Sequence, residues 1–208
     1  MQPTKLYESL FLFHKFHIAL QEQKTQLQLV VESKNKFARN HILMTNYIVM
    51  ESVSFLDEFD QNFYHRCEEE YKSKVLLIRK TTAPIFKRIK QWKDLKDFRN
   101  NIIAHPWRDK NKRFVVPDIN KYKVPRNWFQ HIVLVNLIGY IYNIIREVFK
   151  KEFPLMFKYM ESLVPKEKEK TNYKMLTEDH VAMALEVDAI AEKEGFKYDM
   201  KVLAYTFD

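Results

Sequence analysis

The chain has 208 residues, which is enough for one domain or for one domain with an appendage. Hydrophobic residues make up 46% of it, whereas only two glycines and seven prolines occur, which excludes a turn-rich β protein and favours long helices. The single cysteine, Cys67, excludes an intrachain disulfide, and no apolar run with a cleavage site opens the chain. We therefore expect an all-α protein in the cytoplasm.

The net charge of +8 is unevenly distributed along the chain. Residues 72–127 contain seventeen Lys and Arg against four Asp and Glu, a balance of +13. Residues 177–208 contain three against eight, a balance of −5. A basic middle is typical of a nucleic-acid-binding protein, although a solvated lysine-rich surface has the same composition.

Apolar residues recur every three or four positions through the first part of the chain. This period predicts helices over residues 5–32, 37–65 and 67–92. Pro84 falls inside the third segment, where proline removes a hydrogen bond and clashes with the preceding turn. We expect a kink or a short break there.

Two groups of polar residues on these helices each have two interpretations. His14 and His17 are one turn apart and could share a metal, but without a third ligand at suitable spacing they are better interpreted as partly buried histidines. Acidic residues on the second helix could act in catalysis, but a solvated face or pairing with the basic third helix is favoured. These residues are Glu51, Asp57, Glu58 and Asp60.

A predicted helix over residues 94–105 contains Arg99, Asn100 and His105. Pro106 disfavours the α region for the residue before it, so the helix should end at or just before His105, where the helix dipole favours a protonated imidazole. On a regular helix Arg99 and His105 lie about 120° and about 9 Å apart. They form a site if Arg99 reaches along the helix, if the last turn unwinds, or if a second copy faces them.

Residues 106–127 lack a helical period, and 113–116 could pair with 122–124 as a short β-hairpin. Aromatic side chains among cations suit base stacking combined with phosphate contacts, so we expect part of this loop to bind RNA. Trp107 could instead pack under the loop. The candidate RNA-binding residues are Trp107, Arg108, Lys110, Lys112 and Arg113.

Residues 127–151 form the most apolar predicted helix, and its first nineteen residues contain no charged side chain. A membrane span is one interpretation, but the polar residues within it favour a central bundle helix or a helix shared between the core and a dimer interface. A shorter helix is predicted over 153–163 after a bend near Pro154.

The domain organisation follows from these elements. We expect a helical bundle over residues 1–164, a polar linker over 165–176, and a C-terminal helix and tail over 177–208 that pack on the bundle. The last helix should begin near Thr177 and end near Gly195.

Arg99 and Asn100, followed by His105, resemble the RNxxxxH signature of the HEPN superfamily. The resemblance extends to the helical organisation of roughly residues 1–160. It implies an up-down bundle of four to five main helices, and many members are metal-independent endoribonucleases whose site forms between two protomers. The implied partners are RNA, a second copy and, as in toxin–antitoxin or anti-phage defence systems, an inhibitory protein. No metal, cofactor or membrane is expected.

The motif residues have the chemistry that such a reaction needs. A histidine with a pKa near neutrality can act as base or acid, and an arginine can stabilise a phosphorane. We therefore assign His105 as acid/base, Arg99 as stabiliser and Asn100 as positioning residue, with Asn101 as a weaker candidate. The products would be a 2′,3′-cyclic phosphate, or 3′-phosphate, and a 5′-hydroxyl.

Other interpretations of the motif remain open. Arg99 and Asn100 could satisfy polar contacts near a helix end, with His105 as a C-cap. The chain would then be a non-catalytic RNA- or nucleotide-binding module, or a helical adaptor that docks through its acidic C-terminal helix.

Overall fold

The computed structural model describes residues 4–32, 38–103 and 118–163, and the single positions 182, 185 and 189. The chain divides into two compact units, Met1–Val164 and Pro165–Asp208. In the second unit, Ala182, Leu185 and Ala189 are helical and exposed. The predicted packing of this segment on the bundle stays a prediction.

The first unit is built from helices, two of which contain π-helical turns. Its elements are α1 (Lys5–Glu32), α2 (Ala38–Asp57), π1 (Glu58–Phe63), α3 (Tyr64–Arg66), α4 (Glu69–Ile89), α5 (Leu95–Phe98), π2 (Arg99–Ile103), α6 (Trp128–Val148) and α7 (Glu152–Leu163), with 3-10 turns at Lys90–Trp92 and Ile119–Lys121.

The prediction of an all-α protein is confirmed for the residues described, which contain no strand. The predicted β-hairpin is not confirmed. Its second arm, 122–124, is irregular and follows a 3-10 turn that Asp118 caps by accepting a hydrogen bond from the Asn120 N–H (2.9 Å). Its first arm, 113–116, lies outside the described residues.

Helix α6 lies at the centre of the unit and packs against α1, α2 and α4. It begins at Trp128 because the Asn127 side chain accepts a hydrogen bond from the Gln130 N–H (2.9 Å), which caps the first turn. By length and composition this helix could cross a membrane, but half of its most apolar window is buried inside the bundle. The packing favours the interpretation as a core helix.

Phenylalanines from α1 and from the second half of the α2–π1 segment form the centre of the core. The ring of Phe13 lies 4.8 Å from Phe55 and meets Phe63 edge to face at 4.9 Å, while Phe59 lies 4.7 Å from Phe86 of α4. Aromatic pairs of this kind contribute about 0.5–1.5 kcal/mol each beyond the area they bury. They therefore fix α1 and α4 against the π1 end of α2.

Polar contacts set the direction of α1. Ser9 near its start donates a hydrogen bond to Glu58, the first residue of π1 directly after α2 (2.5 Å), so α1 and α2 run antiparallel. The carboxylate of Glu68 accepts hydrogen bonds from the N–H groups of Lys5 (2.7 Å) and Leu6 (3.4 Å). It thereby satisfies free donors at the positive end of the α1 dipole.

Of the kink or short break expected at Pro84, the break was wrong, because α4 is helical through this residue, and the kink stays a prediction. Thr82 is buried and donates its hydroxyl hydrogen bond to the Ile78 carbonyl (2.8 Å), and Thr81 does the same to Leu77 (2.9 Å). Apolar residues on both sides of Pro84, among them Ile78 and Ile89, are buried in the core. Tertiary packing thus maintains the helix across the missing hydrogen bond.

Cys67 lies in the junction between α3 and α4. Its thiol is buried, and burial, followed by the nearby charge of Glu68, raises its pKa. A neutral, buried thiol is a poor nucleophile, which supports a packing role for this residue.

Candidate functional site

Residues that precede Arg99 anchor the segment that contains the motif to the rest of the bundle. Leu95 is buried, and the ring of Phe98 meets Tyr122 edge to face at 5.6 Å. The carboxylate of Asp94 accepts a hydrogen bond from the Lys123 N–H (2.7 Å), and the Asp94 N–H donates one to the Lys123 carbonyl (3.3 Å). The chain leading into α6 is therefore tied to the start of the motif segment.

Arg99 is the first residue of π2, and two described side chains hold its guanidinium. Its Nη1 lies 3.2 Å from Oδ2 of Asp57, and its Nε donates a hydrogen bond to Oδ1 of Asn100 (3.1 Å). These contacts use two of the five guanidinium N–H donors, and no described residue engages the other three. These two contacts orient the guanidinium, whose planar fork matches the oxygens of a phosphate.

The Asp57 carboxylate forms ion pairs with more than one cation. Its Oδ1 accepts hydrogen bonds from Lys96 Nζ (2.8 Å) and from Gln61 Nε2 (3.4 Å), while its Oδ2 faces Arg99. The Asp57 and Arg99 side chains are 29% and 24% exposed, so solvent or a ligand can reach both. Two cations share one carboxylate, which leaves the cluster with a charge of about +1.

Both segments that meet at this cluster contain a π-helical turn, π1 directly after Asp57 and π2 beginning at Arg99. Turns of this type recur at functional sites because the i→i+5 bonding pattern redirects side chains. The predicted helices over 37–65 and 94–105 are helical where the structure describes them, but each contains a π turn that was not predicted. The angular separation calculated for Arg99 and His105 assumed a regular α-helix, which Arg99–Ile103 is not, and the position of His105 stays a prediction.

A second polar cluster lies on π1. Arg79 donates from Nη2 to the backbone carbonyls of Phe59 (2.9 Å) and Asp60 (3.1 Å), and its guanidinium lies 5.6 Å from the centre of the Phe59 ring. Burial raises the pKa of Asp60, an effect opposed first by Arg79 and then by Lys90 and Lys96. The basic α4 segment therefore contacts the π1 turn directly.

The cations predicted along the third helix fall into two groups. Some form ion pairs, and others, here called open cations, have no described carboxylate within ion-pair distance. Lys72 and Lys74 pair with Glu69 and Glu152, and Lys96 pairs with Asp57. Other cations of this segment are exposed, and no described carboxylate lies within ion-pair distance of them; these are Lys80, Lys87, Arg88, Lys90 and Lys93. They remain available to the phosphates of a nucleic acid.

Some predicted site residues lie outside the described residues, so their position relative to Arg99 stays a prediction. They are His105, Trp107, Arg108, Lys110, Lys112 and Arg113. Asn100 and Asn101 are described and exposed on π2.

The acidic cluster of the second helix is only partly as expected. Asp57 pairs with cations, but they belong to α5 and π2 rather than to the third helix itself. Glu58 is neither solvated nor paired with a cation, because it is buried and accepts hydrogen bonds from Ser9 and Asn62 (2.7 Å). The Asp57 contact with Arg99 was missed. The only feature of the sequence that could have indicated this contact was the presence of an acidic group on the second helix and a basic segment later in the chain.

His14 and His17 are partly buried, as predicted. His14 Nδ1 shares a hydrogen bond with the Tyr142 hydroxyl (2.8 Å), and the His17 ring stacks on Tyr142 with centroids 4.1 Å apart. Within the described ranges, no group of three or more His, Cys, Asp or Glu side chains is placed to hold a metal ion.

No family model, curated protein or solved structure matches this chain. The HEPN resemblance therefore rests on the short motif around Arg99 and on the helical organisation.

Proposed function

We propose that the chain is a metal-independent endoribonuclease of the HEPN type, with Arg99, Asn100 and His105 in a cleft between two copies. His105 removes the proton from the ribose 2′-hydroxyl, or donates one to the 5′ leaving oxygen, and Arg99 stabilises the phosphorane. Bond formation between the 2′-oxygen and phosphorus expels the 5′-oxygen. The products carry a 2′,3′-cyclic phosphate and a 5′-hydroxyl.

The observation that supports this proposal best is the state of Arg99. Asp57 and Asn100 orient the guanidinium from one side, and three of its N–H donors are not used by any described residue. A fixed, partly exposed arginine can bind a phosphate with little loss of side-chain entropy.

Exposed apolar residues on α2 support the homodimer. Leu43, Tyr47 and Met50 are 59%, 48% and 37% exposed, and they follow one another at spacings of four and three residues. Met50 and Asp57 are seven residues apart, which places them within roughly 20° on one helix face. Pairing of this face with a second copy would therefore bring two Asp57–Arg99 pairs to the same interface.

The decisive experiment measures cleavage of single-stranded RNA in EDTA. We expect the wild type to cut, and Arg99→Ala and His105→Ala to be at least 100-fold slower. Arg66→Ala and His65→Ala are matched controls, since both residues are exposed and lie at the far end of the α2–α3 segment. Equal rates in all five proteins would refute the catalytic assignment.

Mixing two inactive variants tests the shared cleft. If one copy supplies arginine and the other supplies histidine, co-refolded Arg99→Ala and His105→Ala chains regain part of the wild-type rate. No recovery, with mixed dimers demonstrated by differential tagging, would mean that Arg99 and His105 of a single copy act together.

A non-catalytic RNA-binding module is the second candidate, because the Asp57 carboxylate already neutralises part of the Arg99 charge. It predicts RNA binding without cleavage in the same assay. The absence of RNA binding at low salt would leave the helical adaptor. A cytoplasmic role in toxin–antitoxin or anti-phage defence, with an inhibitory protein partner, belongs to the nuclease proposal.

A further inference from the structure

A groove with a volume of about 600 Å³ opens beside α1, α6 and the first turns of α7. It shares no residue with the Arg99 cluster, and the nuclease proposal does not use it. The residues that line it combine aromatic rings with polar and charged groups; they are His14, Tyr142, Asn143, Arg146, Glu147, Lys150, Phe153, Pro154 and Phe157.

Aromatic contacts fix the inner wall of this groove. Tyr142 is 4% exposed, stacks against His17 with an angle of 13° between the rings, and meets Phe153 edge to face at 6.1 Å. The His14 ring meets Phe157 edge to face at 4.9 Å. Phe157 itself is 38% exposed, so a planar ligand can contact one side of its ring.

The charge of the groove comes mainly from Arg146. Glu147 and Lys150 form an ion pair with each other (2.8 Å) and cancel. Burial lowers the pKa of His14, and it lowers that of His17 to about 4, so both rings are neutral at pH 7. Arg146 is exposed, and no described carboxylate lies within ion-pair distance of it.

A smaller polar recess of about 440 Å³ adjoins the groove, and Asn143 lines both. Gly139 lies in its wall, where an added Cβ would come 3.5 Å from Gln21 Nε2 and 3.7 Å from His17 Cε1. Nδ1 of His17 is buried behind this wall and has no hydrogen-bond partner among the described residues. The recess itself is lined largely by polar side chains, among them Gln21, Asn136 and Asn143, which can bond a polar substituent.

We propose that the groove binds a small anionic molecule with a planar aromatic body. Arg146 and the Asn143 amide bind the carboxylate or phosphate group, the exposed side of Phe157 receives the aromatic ring, and the recess admits a polar substituent. The groove volume fits a molecule of this size. A guanidinium with no described carboxylate within ion-pair distance selects an anion over a neutral analogue of the same shape.

Calorimetric titration with three naphthalene probes tests this proposal. 2-Naphthoate and 2-naphthyl phosphate carry the two candidate anions, and 2-naphthylmethanol is their uncharged counterpart. We expect at least one anion to bind about tenfold more tightly than the alcohol. The tighter of the two anions identifies the ligand class.

Variants locate the binding to the groove. Arg146→Gln should weaken the preferred anion about tenfold and leave the alcohol unchanged, and Phe157→Ala should weaken all three probes. Lys151→Gln makes the same change of charge on an exposed residue outside the groove and should have no effect. The proposal is refuted if the anions bind no better than the alcohol, or if Arg146→Gln behaves like Lys151→Gln. Thermal unfolding of each variant verifies its fold.

Discussion

Arg99 and Asp57 form an ion pair, with Nη1 3.2 Å from Oδ2, although they are separated by 42 residues in the chain. The pair joins the end of α2 to the start of π2. It therefore couples the position of the proposed phosphate-binding group to the helix that carries the exposed apolar face.

Asp57→Asn should separate binding from catalysis. Loss of the carboxylate removes the counter-charge that Lys96 and Arg99 share, so we expect the affinity for single-stranded RNA at low salt to rise about fivefold. Because Arg99 also loses an orienting partner, the cleavage rate should fall about tenfold. Fluorescence anisotropy and a cleavage time course measure the two effects. Glu161→Gln, on an exposed residue of α7, is the control, and an unchanged cleavage rate in Asp57→Asn would show that Asp57 does not position Arg99.

The exposed face of α2 should control self-association. Introducing lysines by the double substitution Leu43→Lys and Tyr47→Lys places charges where the proposed dimer buries apolar side chains, so the chain should become monomeric and lose RNA cleavage. Leu77→Lys adds a charge to an exposed leucine of α4, which is 54% exposed, and should change neither property. Sedimentation velocity measures the oligomeric state. A double variant that remains dimeric would place the interface elsewhere.

The open cations of the α4 segment should contribute phosphate contacts. Lys87→Gln combined with Lys90→Gln should weaken RNA binding at all sequences and reduce the slope of log K against log salt concentration by about 1.4, roughly 0.7 for each contact. Lys72→Gln combined with Lys150→Gln removes cations that are already ion-paired and serves as control. A slope that is equal in both double variants would exclude this face from the RNA interface.

His17 should make the folded state sensitive to acid. Burial lowers its pKa in the folded chain from 6.5 to about 4, so between these two values the unfolded chain binds the proton and the folded chain does not. Stability is therefore present above pH 6.5 and is lost as the pH falls towards 4. The ring keeps partial contact with solvent, which limits the effect to about 1 kcal/mol.

Urea unfolding at pH 7 and pH 4 measures this contribution. His17→Phe preserves a ring that can stack on Tyr142 and removes the titrating group, so its free energy of unfolding should fall less on acidification than that of the wild type. His65→Phe changes an exposed histidine and should behave as the wild type does. An identical pH dependence in all three proteins would mean that His17 is not buried as described.

Pro84→Ala should stabilise the chain. Pro84 is exposed, so its ring can be removed without loss of packing, and alanine restores the backbone donor within α4. A proline inside a helix costs about 3 kcal/mol relative to alanine, part of which is offset because proline also restricts the unfolded chain. We expect a gain of about 1–2 kcal/mol in urea unfolding, and a loss of about 1 kcal/mol for the comparison variant Ala83→Gly. A destabilised Pro84→Ala would indicate that the helix depends on the proline.

Sequence periodicity predicted the long helices well because burial of one face imposes that period. Lys5–Glu32 has the expected bounds, and Trp128–Val148 differs from its expectation by a few residues at the ends. The π turns at Glu58–Phe63 and Arg99–Ile103 were not predicted, since local composition does not distinguish them from regular helix. The contact between Asp57, directly before the first of these turns, and Arg99, the first residue of the second, was not predicted either, because a contact between residues so far apart in sequence leaves no periodic signal.

Candidate residues around the motif could be identified in the sequence from their chemistry. The contacts that each side chain makes could be identified only from the fold. The sequence marked Arg99 and Asn100 as a pair, whereas only their geometry shows that the Asn100 oxygen accepts from Nε. His14 and His17 were similarly identified as partly buried, but nothing in their spacing predicted a groove beside them that Arg146 also lines.

The buried thiol of Cys67 has a practical consequence for studying how this chain moves. Because it is the chain's only cysteine, a thiol reagent in excess can modify only this position, and only after the junction between α3 and α4 opens. Glu68, the next residue, accepts hydrogen bonds from the first turn of α1, so the junction lies beside the start of that helix. The labelling rate under native conditions thus reports how often this junction opens.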